Sequence, residues 1–559
     1  MLSPNLVLLA ASLLAAFLVV QGYLFARRRL RAFLLRTFTT LPDLENVGRT
    51  RAGGKLDGTA VVCGGSFAGL FTARICADHF SRVVLVEPEL FTFTEAAKSG
   101  EAFATRTVHD KNGVYKTLAH KRSRVYQYAS THVVQVLLTR FLRAVFPDFN
   151  ARAESSGARV TVGDLHLHIG GRALAIPIKK YTDYAHQVVF ASRRNLETLV
   201  RRAVCATCPS IEFVQGFVTE FKILDSRVTA VSVRGSDGTI TELACELVAD
   251  CTGNTQAGLK CLTRALPTLS SAGLRRDEYN PKLNFTSFEF PVPDGFEENL
   301  RALGIRDAKG DLVDMSESSW FHIHGPDPDL DYRTIFLGRS DFGRSGVGGW
   351  DSEVPVTLEG LREYMSRVIA EVPIPAHIFQ IFDLLEPVKD QAIVFPAKCS
   401  SCSRIYYERV SDELPQNFVA VGDAMMRLNP RTGEGVTKCA LGALTLDGVL
   451  RDASIGKDAL TKTYFKRMTL RTGHLWDASK WADYGRDTTV PVRGETLEEG
   501  ALFRWFFGQL NRVLPRDEKA AEEFWKNLNF LSPPTDMASP SIVAKVLLEG
   551  ARSLWSEKA

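Results

Sequence analysis

Apolar positions fall into blocks along the chain, and the period within each block changes from segment to segment. The first block, Leu6 to Ala26, reads LVLLAASLLAAFLVVQGYLFA, with Gln21 its most polar member. About 20 apolar residues suffice for a helix to span a bilayer with its backbone groups satisfied internally. Arg27, Arg28, Arg29 and Arg31 follow at once, and no Lys or Arg precedes the block. This asymmetry predicts a single-pass membrane anchor over 1–26 and a basic juxtamembrane linker over 27–57. The remainder would face the cytosol, at the endoplasmic reticulum in a eukaryotic cell. A cleaved signal peptide would carry a basic start and a shorter apolar core, and neither is present.

Beyond the linker the pattern predicts alternating strands and helices. Thr59 to Cys63 (TAVVC) and Val83 to Val86 (VVLV) are short apolar runs of buried-strand type, and Phe67 to Phe80 between them has helical character. Together they make a βαβ opening. Glu95 to His120 is polar and contains glycine, which predicts a loop or insertion. Val133 to Phe146 and Leu196 to Val204 carry helical periodicity, and Phe213 to Val233 and Thr239 to Asp250 read as strands. Strand-like alternation and aromatics mark Leu283 to Ile393, a pattern suited to a sheet covering an apolar pocket. Gly433 to Leu450 predicts a long apolar helix, and helices dominate from Asp452 on, broken at Pro533, Pro534 and Pro540.

A chain of 559 residues exceeds one ordinary core, so two or three domains are expected. The formal net charge of +4 is small for this length and gives no reason to expect nucleic acid as a partner. Ten cysteines without framework spacing read as free thiols in a reducing compartment. The pairs Cys205/Cys208 and Cys399/Cys402 lack a compact ribbon spacing. His322 and His324 share one face of an expected strand, but no third ligand lies nearby in sequence, so they read as packing residues. No metal site is expected.

The strand–turn–helix at Val61 to Leu70 carries the first chemistry. Its turn reads Gly64-Gly65-Ser66-Phe67-Ala68-Gly69, and Glu87 ends the next strand about 20 residues on. Gly64 permits the tight turn, and Gly69 lets helix and strand pack closely. The helix start offers unpaired N–H groups and a favourable dipole to a pyrophosphate. Glu87 can accept hydrogen bonds from a ribose. Ser66 stands where the usual fingerprint has its middle glycine.

A second strand, Asn417 to Val421, ends in Gly422-Asp423-Ala424, and Asn429-Pro430-Arg431-Thr432-Gly433-Glu434-Gly435 precedes the long apolar helix. Asp423 can bind a sugar-alcohol hydroxyl, and Gly433 and Gly435 let backbone lie against a flat ring. Negative charge near that ring would be stabilised by the helix start.

These two motifs closely resemble FAD-dependent monooxygenases of the hydroxybenzoate-hydroxylase fold, and within them the squalene-epoxidase and polyether-epoxidase branch. The resemblance runs from Gly58 to about Leu548. Ser192-Arg193-Arg194-Asn195-Leu196-Glu197 is similar to the family's SRxxLE helix start, which places Arg193 near FAD. Arg122…Val125…Gln127 is similar to its R-x-x-V-x-Q segment, also near the cofactor. Ala249-Asp250-Cys251-Thr252-Gly253 resembles a strand end that closes over the adenosine. The implied cofactor-binding set is Gly64, Gly65, Ser66, Phe67, Ala68, Gly69, Glu87, Arg122, Gln127, Arg193, Gly422, Asp423, Pro430, Gly433 and Gly435. No side chain is assigned as catalytic, since the cofactor carries the chemistry.

The resemblance implies an α/β chain with a Rossmann-type (GR2) FAD-binding domain, an inserted mixed β-sheet substrate domain, C-terminal helices and the N-terminal transmembrane helix. Its segments would be 58–260 (FAD-binding, first part), 261–398 (substrate-covering sheet), 399–450 (FAD-binding, GD motif and helix) and 451–559 (helical). FAD would be reduced by NAD(P)H or by a separate reductase, because Cys251-Thr252-Gly253-Asn254 lacks the DG motif linked to NADPH use. O2 is the co-substrate, and one oxygen atom would enter an apolar, isoprenoid or polyene small molecule at a membrane. A flavin-dependent halogenase and an isoprenoid reductase are enzyme alternatives, though the halogenase signature W-x-W-x-I-P is absent. A non-catalytic prenyl- or lipid-binding protein on a degenerate FAD fold is the alternative outside enzymes, and the intact Gly422-Asp423 pair argues against it.

Overall fold

Five parallel strands form the platform for the site. In this computed structural model their order across the sheet is Phe418–Ala420, Leu247–Asp250, Leu56–Cys63, Phe80–Glu87 and Ile211–Gln215. The structure describes residues 4–556 except 52, 96, 98–103, 120–121, 123, 126, 131, 308–309, 316–319, 342–343, 352 and 400. Side chains of 4–16, 270, 340, 344–351, 432 and 555–556 lie outside the description.

The strands are near-continuous apolar runs because both faces are covered, as parallel sheets require. Ala60, Val61 and Val62 are fully buried, and Val83 to Val86 nearly so. The helix Phe67–His79 buries 12 of its 13 residues, which means it is enclosed on all sides rather than amphipathic. It packs on the helix Gly435–Arg451. A hydrogen bond of 2.9 Å between His79 and Asp447, both fully buried, ties the two helices together.

A second, nine-stranded sheet is mixed. Its order is Thr105–Asp110, Gly113–Leu118, Ile393–Lys398, Asn284–Pro291, Arg344–Asp351, Thr334–Asp341, Phe321–His324, Leu165–Ile169 and Arg172–Ala173. Most pairs are antiparallel, but Leu165–Ile169 runs parallel to Phe321–His324. This sheet takes four strands from within the 58–260 segment. Two of them correct the expected loop at Glu95 to His120: residues 105–118 form a hairpin in which Asp110 pairs with Gly113 across Lys111-Asn112. Buried Phe288, Phe290 and Trp320 pack with Leu361, Tyr364 and Ile378 of the helices Leu358–Ser366 and Ala376–Leu384. These aromatics belong to one hydrophobic core.

The membrane anchor is corrected. Among the described residues, no helix is long and apolar enough to cross a membrane. Residues Pro4–Phe38 form one helix, and the expected span falls partly on Leu6 to Ala16, whose side chains lie outside the description. Of the helix residues whose side chains are described, only ten, 17–26, precede Arg27, fewer than the roughly 20 apolar residues a span needs. The segment expected as a linker is docked on the domain. Arg31 pairs with Asp536 at 2.6 Å, Asp43 with Arg471 at 2.6 Å, and Thr40 and Val47 are buried.

Candidate functional site

The turn after Leu56–Cys63 builds the floor of the site. Gly64 sits at φ +110°, and a Cβ there would lie 2.4 Å from the carbonyl oxygen of Cys251. A Cβ on Gly69 would lie 1.6 Å from the carbonyl oxygen of Gly64. Both positions therefore require glycine, one for backbone conformation and one for helix–turn contact. Gly65 N donates to Glu87 Oε2 at 2.6 Å, which pins the turn to the end of the neighbouring strand. Ser66 stands at the N-cap of Phe67–His79 but makes no capping bond. Its hydroxyl donates instead to Glu197 Oε2 at 3.1 Å, so it caps none of the N–H groups of the helix's first turn.

A cavity of about 230 Å³ lies over the carboxyl ends of the parallel strands. Gly64, Gly65, Ser66, Phe67 and Ala68 line it on one side. Glu87, Arg122, Gln127 and Arg193 close it above, and Asp423 and Gly435 reach it from the second motif. Eleven of the fifteen expected residues thus meet at one cavity. Gly69, Gly422, Pro430 and Gly433 do not line it. Gly422, at φ +68°, is a packing position: its Cβ would fall 3.1 Å from that of Ala68. Pro430 opens a short 3₁₀ turn, and Gly433, at φ +71°, ends it.

At the cavity wall, three arginines and three glutamates are buried together. The helix Arg193–Thr207 begins at an N-cap, Ser192, which accepts from Asn195 N. Arg193, Glu197 and Arg201 then fall four residues apart on one face. Glu197 is fully buried and contacts Arg193 at 2.7 Å, Arg201 at 2.9 Å and Arg122 at 3.0 Å. Arg122 also pairs with Glu89 at 2.6 Å and approaches Glu87 at 3.4 Å. Burial alone would raise the Glu197 pKa, but Arg122, Arg193 and Arg201 outweigh it and hold the carboxyl well below its usual range. Arg193 lies over the ring of Phe67, 4.0 Å from its centroid, and donates to Ser66 Oγ at 3.0 Å. The adjacent Arg194 turns away and makes two 2.8 Å hydrogen bonds to Glu289 on the large sheet.

Four further residues, Glu197, Glu89, Arg201 and Lys438, shape the site without having been expected there. Glu197 was visible only as the end of the SRxxLE run, and Glu89 and Arg201 carried no motif. At the other end, buried Lys438 on Gly435–Arg451 pairs with Asp423 at 2.7 Å and donates to the carbonyl of Met426. Asp250, at its strand end, accepts from Thr252 N at 3.0 Å and Gly258 N at 2.9 Å. It holds the loop that closes one wall of the cavity.

No known family profile matches the chain. Protein Rv3254 of Mycobacterium tuberculosis (strain ATCC 25618 / H37Rv) is 23% identical over 517 residues, 89% of this chain and 94% of that protein. Among solved structures, the flavin-dependent brominase Bmp2 superposes with a TM-score of 0.53 at 12% identity, covering 90% of this chain and 100% of its own. A flavoprotein/dehydrogenase from Cytophaga hutchinsonii gives 0.53 at 11% identity, over 89% of this chain and 100% of its own. The chain shares their fold. That fold is a mixed α/β one in which a cavity at the carboxyl ends of a parallel sheet is the ordinary place for a nucleotide.

Proposed function

We propose that the chain is an FAD-dependent oxidoreductase that uses O2 to transfer one oxygen atom to a small organic molecule. The observation that carries this reading is the single cavity lined by both the Gly64–Ala68 turn and the Asp423/Gly435 segment. One end offers a helix start for a pyrophosphate and a carboxylate, Glu87, for a ribose. The other offers Asp423 for a sugar-alcohol chain and a second helix start at Gly435.

The donor set and the glycine cradle fit a dinucleotide. The volume is below the roughly 300–1,000 Å³ of ordinary small-molecule sites. Arg193 and Arg122, drawn in by Glu197, Glu89 and Ser66, take up space in front of the turn. On binding, these guanidinium groups would shift toward the phosphates, exchanging one set of negative partners for another. Glu197 would keep the arginines charged and aimed, and Lys438 would set the position of the Asp423 carboxylate. Bound FAD would supply the redox chemistry, taking up an electron pair and passing it to O2. In the overall balance one oxygen atom enters substrate, the other leaves as water, and NAD(P)H or a separate reductase supplies the electron pair.

Phe288, Phe290 and Trp320, among the aromatics that suggested an apolar, polyene-like substrate, pack in the core of the large sheet, and the substrate class stays at small organic molecules. Halogenation is a second reading, favoured by the brominase among the neighbours. Purified protein with FAD, NADH or NADPH, and bromide, offered a panel of small aromatics, separates the readings by product mass. A gain of one oxygen that disappears without O2 supports the proposal. Product made equally without O2 points to a reductase, and a bromide-dependent mass gain points to halogenation; either would overturn it.

A further inference from the structure

Four histidines form a two-by-two array at one end of the nine-stranded sheet. Leu165–Ile169 carries His166 and His168, and Phe321–His324 carries His322 and His324. The two strands pair in parallel, with His166 opposite His322 and His168 opposite His324. Residues two apart on a strand share a face, and so do paired neighbours. All four rings therefore project from the same side.

Donor atoms of His168, His322 and His324 all lie within 4.8 Å of one another. The ring centroids of His168 and His322 are 4.5 Å apart, and those of His168 and His324 are 5.6 Å apart. His322 and His324 are 1% and 0% exposed. Nonetheless, among the described residues His322 Nε2 and both ring nitrogens of His324 make no hydrogen bond within 3.5 Å, although the Val372 backbone lies near the His324 ring. Buried polar atoms are rarely left so unless something else meets them. His168 Nδ1 lies 3.0 Å from the carbonyl oxygen of His166. A carbonyl can only accept, so Nδ1 carries the proton and Nε2 keeps its lone pair. A backbone carbonyl fixing the tautomer in this way is the usual outer-shell support of a metal-bound histidine.

We propose that His168, His322 and His324 bind one divalent transition-metal ion, with Zn2+ or Cu2+ the best match, and leave a fourth position to water. Three neutral nitrogen donors suit these ions, whereas Mg2+ and Ca2+ require oxygen ligands. None of the array lines the nucleotide cavity, so the metal is separate from the redox site. It clamps together two strands that are far apart in sequence and shields the stacked imidazole lone pairs from one another.

The test uses the purified full chain, stripped with chelator, incubated with Zn2+, desalted and assayed for metal by elemental analysis. Co2+ substitution gives an independent readout through the visible bands of a tetrahedral nitrogen-ligated ion. Wild type should retain one equivalent. H168A and H324F should bind Zn2+ roughly tenfold or more weakly, with unchanged circular dichroism. H168Q, at the partly buried member of the set, replaces H324F if that variant does not fold. Wild type that retains no Zn2+, or no more than H168A retains, overturns the proposal.

Discussion

Replacing Glu197 with glutamine tests the buried charge cluster most sharply. The side chain keeps its shape but loses one negative charge. Three guanidinium groups, from Arg122, Arg193 and Arg201, would then face only Glu87 and Glu89. Oε1 now meets Arg122 and Arg201, and Oε2 meets Arg193 and Ser66. Whichever way the amide turns, its NH2 points at a guanidinium, donor against donor. Removing one partner of a buried ion pair costs about 3–5 kcal/mol, a large share of the roughly 5–15 kcal/mol that stabilises a folded domain. With an m-value near 3 kcal/mol per M, the urea midpoint should fall by roughly 1–2 M. E197D, which keeps the charge, should lose less. Saturating FAD should recover more stability in E197Q than in wild type, since a pyrophosphate returns negative charge to the arginines. A midpoint for E197Q within error of wild type would refute the electrostatic account, and an equal gain from FAD in both proteins would refute the placement of the phosphates.

Asp423→Ala should cut FAD affinity roughly 10- to 100-fold, the scale of a hydrogen bond to a charged group, read from flavin fluorescence on titration; unchanged affinity removes Asp423 from the site. Gly64→Ala places a Cβ at φ +110° and 2.4 Å from Cys251 O; it should cost on the order of 3 kcal/mol in denaturant unfolding, and a neutral result would show that the turn relaxes. Burial pushes His474 down to about 4. As pH falls through about 6.5 the unfolded chain takes up this proton before the folded one does, so stability should drop between pH 6.5 and 4 by up to about 3 kcal/mol. His474→Leu should flatten that slope in denaturation curves at pH 7 and pH 5, and an unchanged slope would assign it to other groups.

Local patterns were legible in the sequence where one stretch of chain carries both the structure and its reason. The βαβ opening is such a case: Gly64 and Gly69 sit where a turn and a close helix contact demand them, and apolar runs flank them. The strand ending at Gly422-Asp423 is another. Partners distant in sequence were not legible. His322 and His324 lacked a third ligand until strand pairing brought in His168, 154 positions upstream of His322 (322 − 168). Glu197 looked like the tail of a helix-start motif, and only the fold shows Arg122 and Arg201 converging on it. Lys438 sat within an apolar helix pattern, and its pairing with Asp423 depends on a loop closing over the helix start. The hairpin at 105–118 was missed because its strands are polar, with one edge in solvent. The anchor reading took the arginines after Ala26 as the flank of a span, whereas the helix runs on unbroken through them to Phe38 and its far end is docked on the domain.

The central claim is that one FAD bridges the Gly64–Gly69 turn and the Asp423–Gly435 segment. Equilibrium FAD binding to wild type, S66D, D423A and the double variant tests it directly. S66D sets a carboxylate at the helix start, where a pyrophosphate would lie. The account predicts one FAD per wild-type chain, a loss of roughly tenfold or more in each single variant, and a further loss in the double. A chain that binds no FAD, or binds it equally well in all four forms, would contradict it.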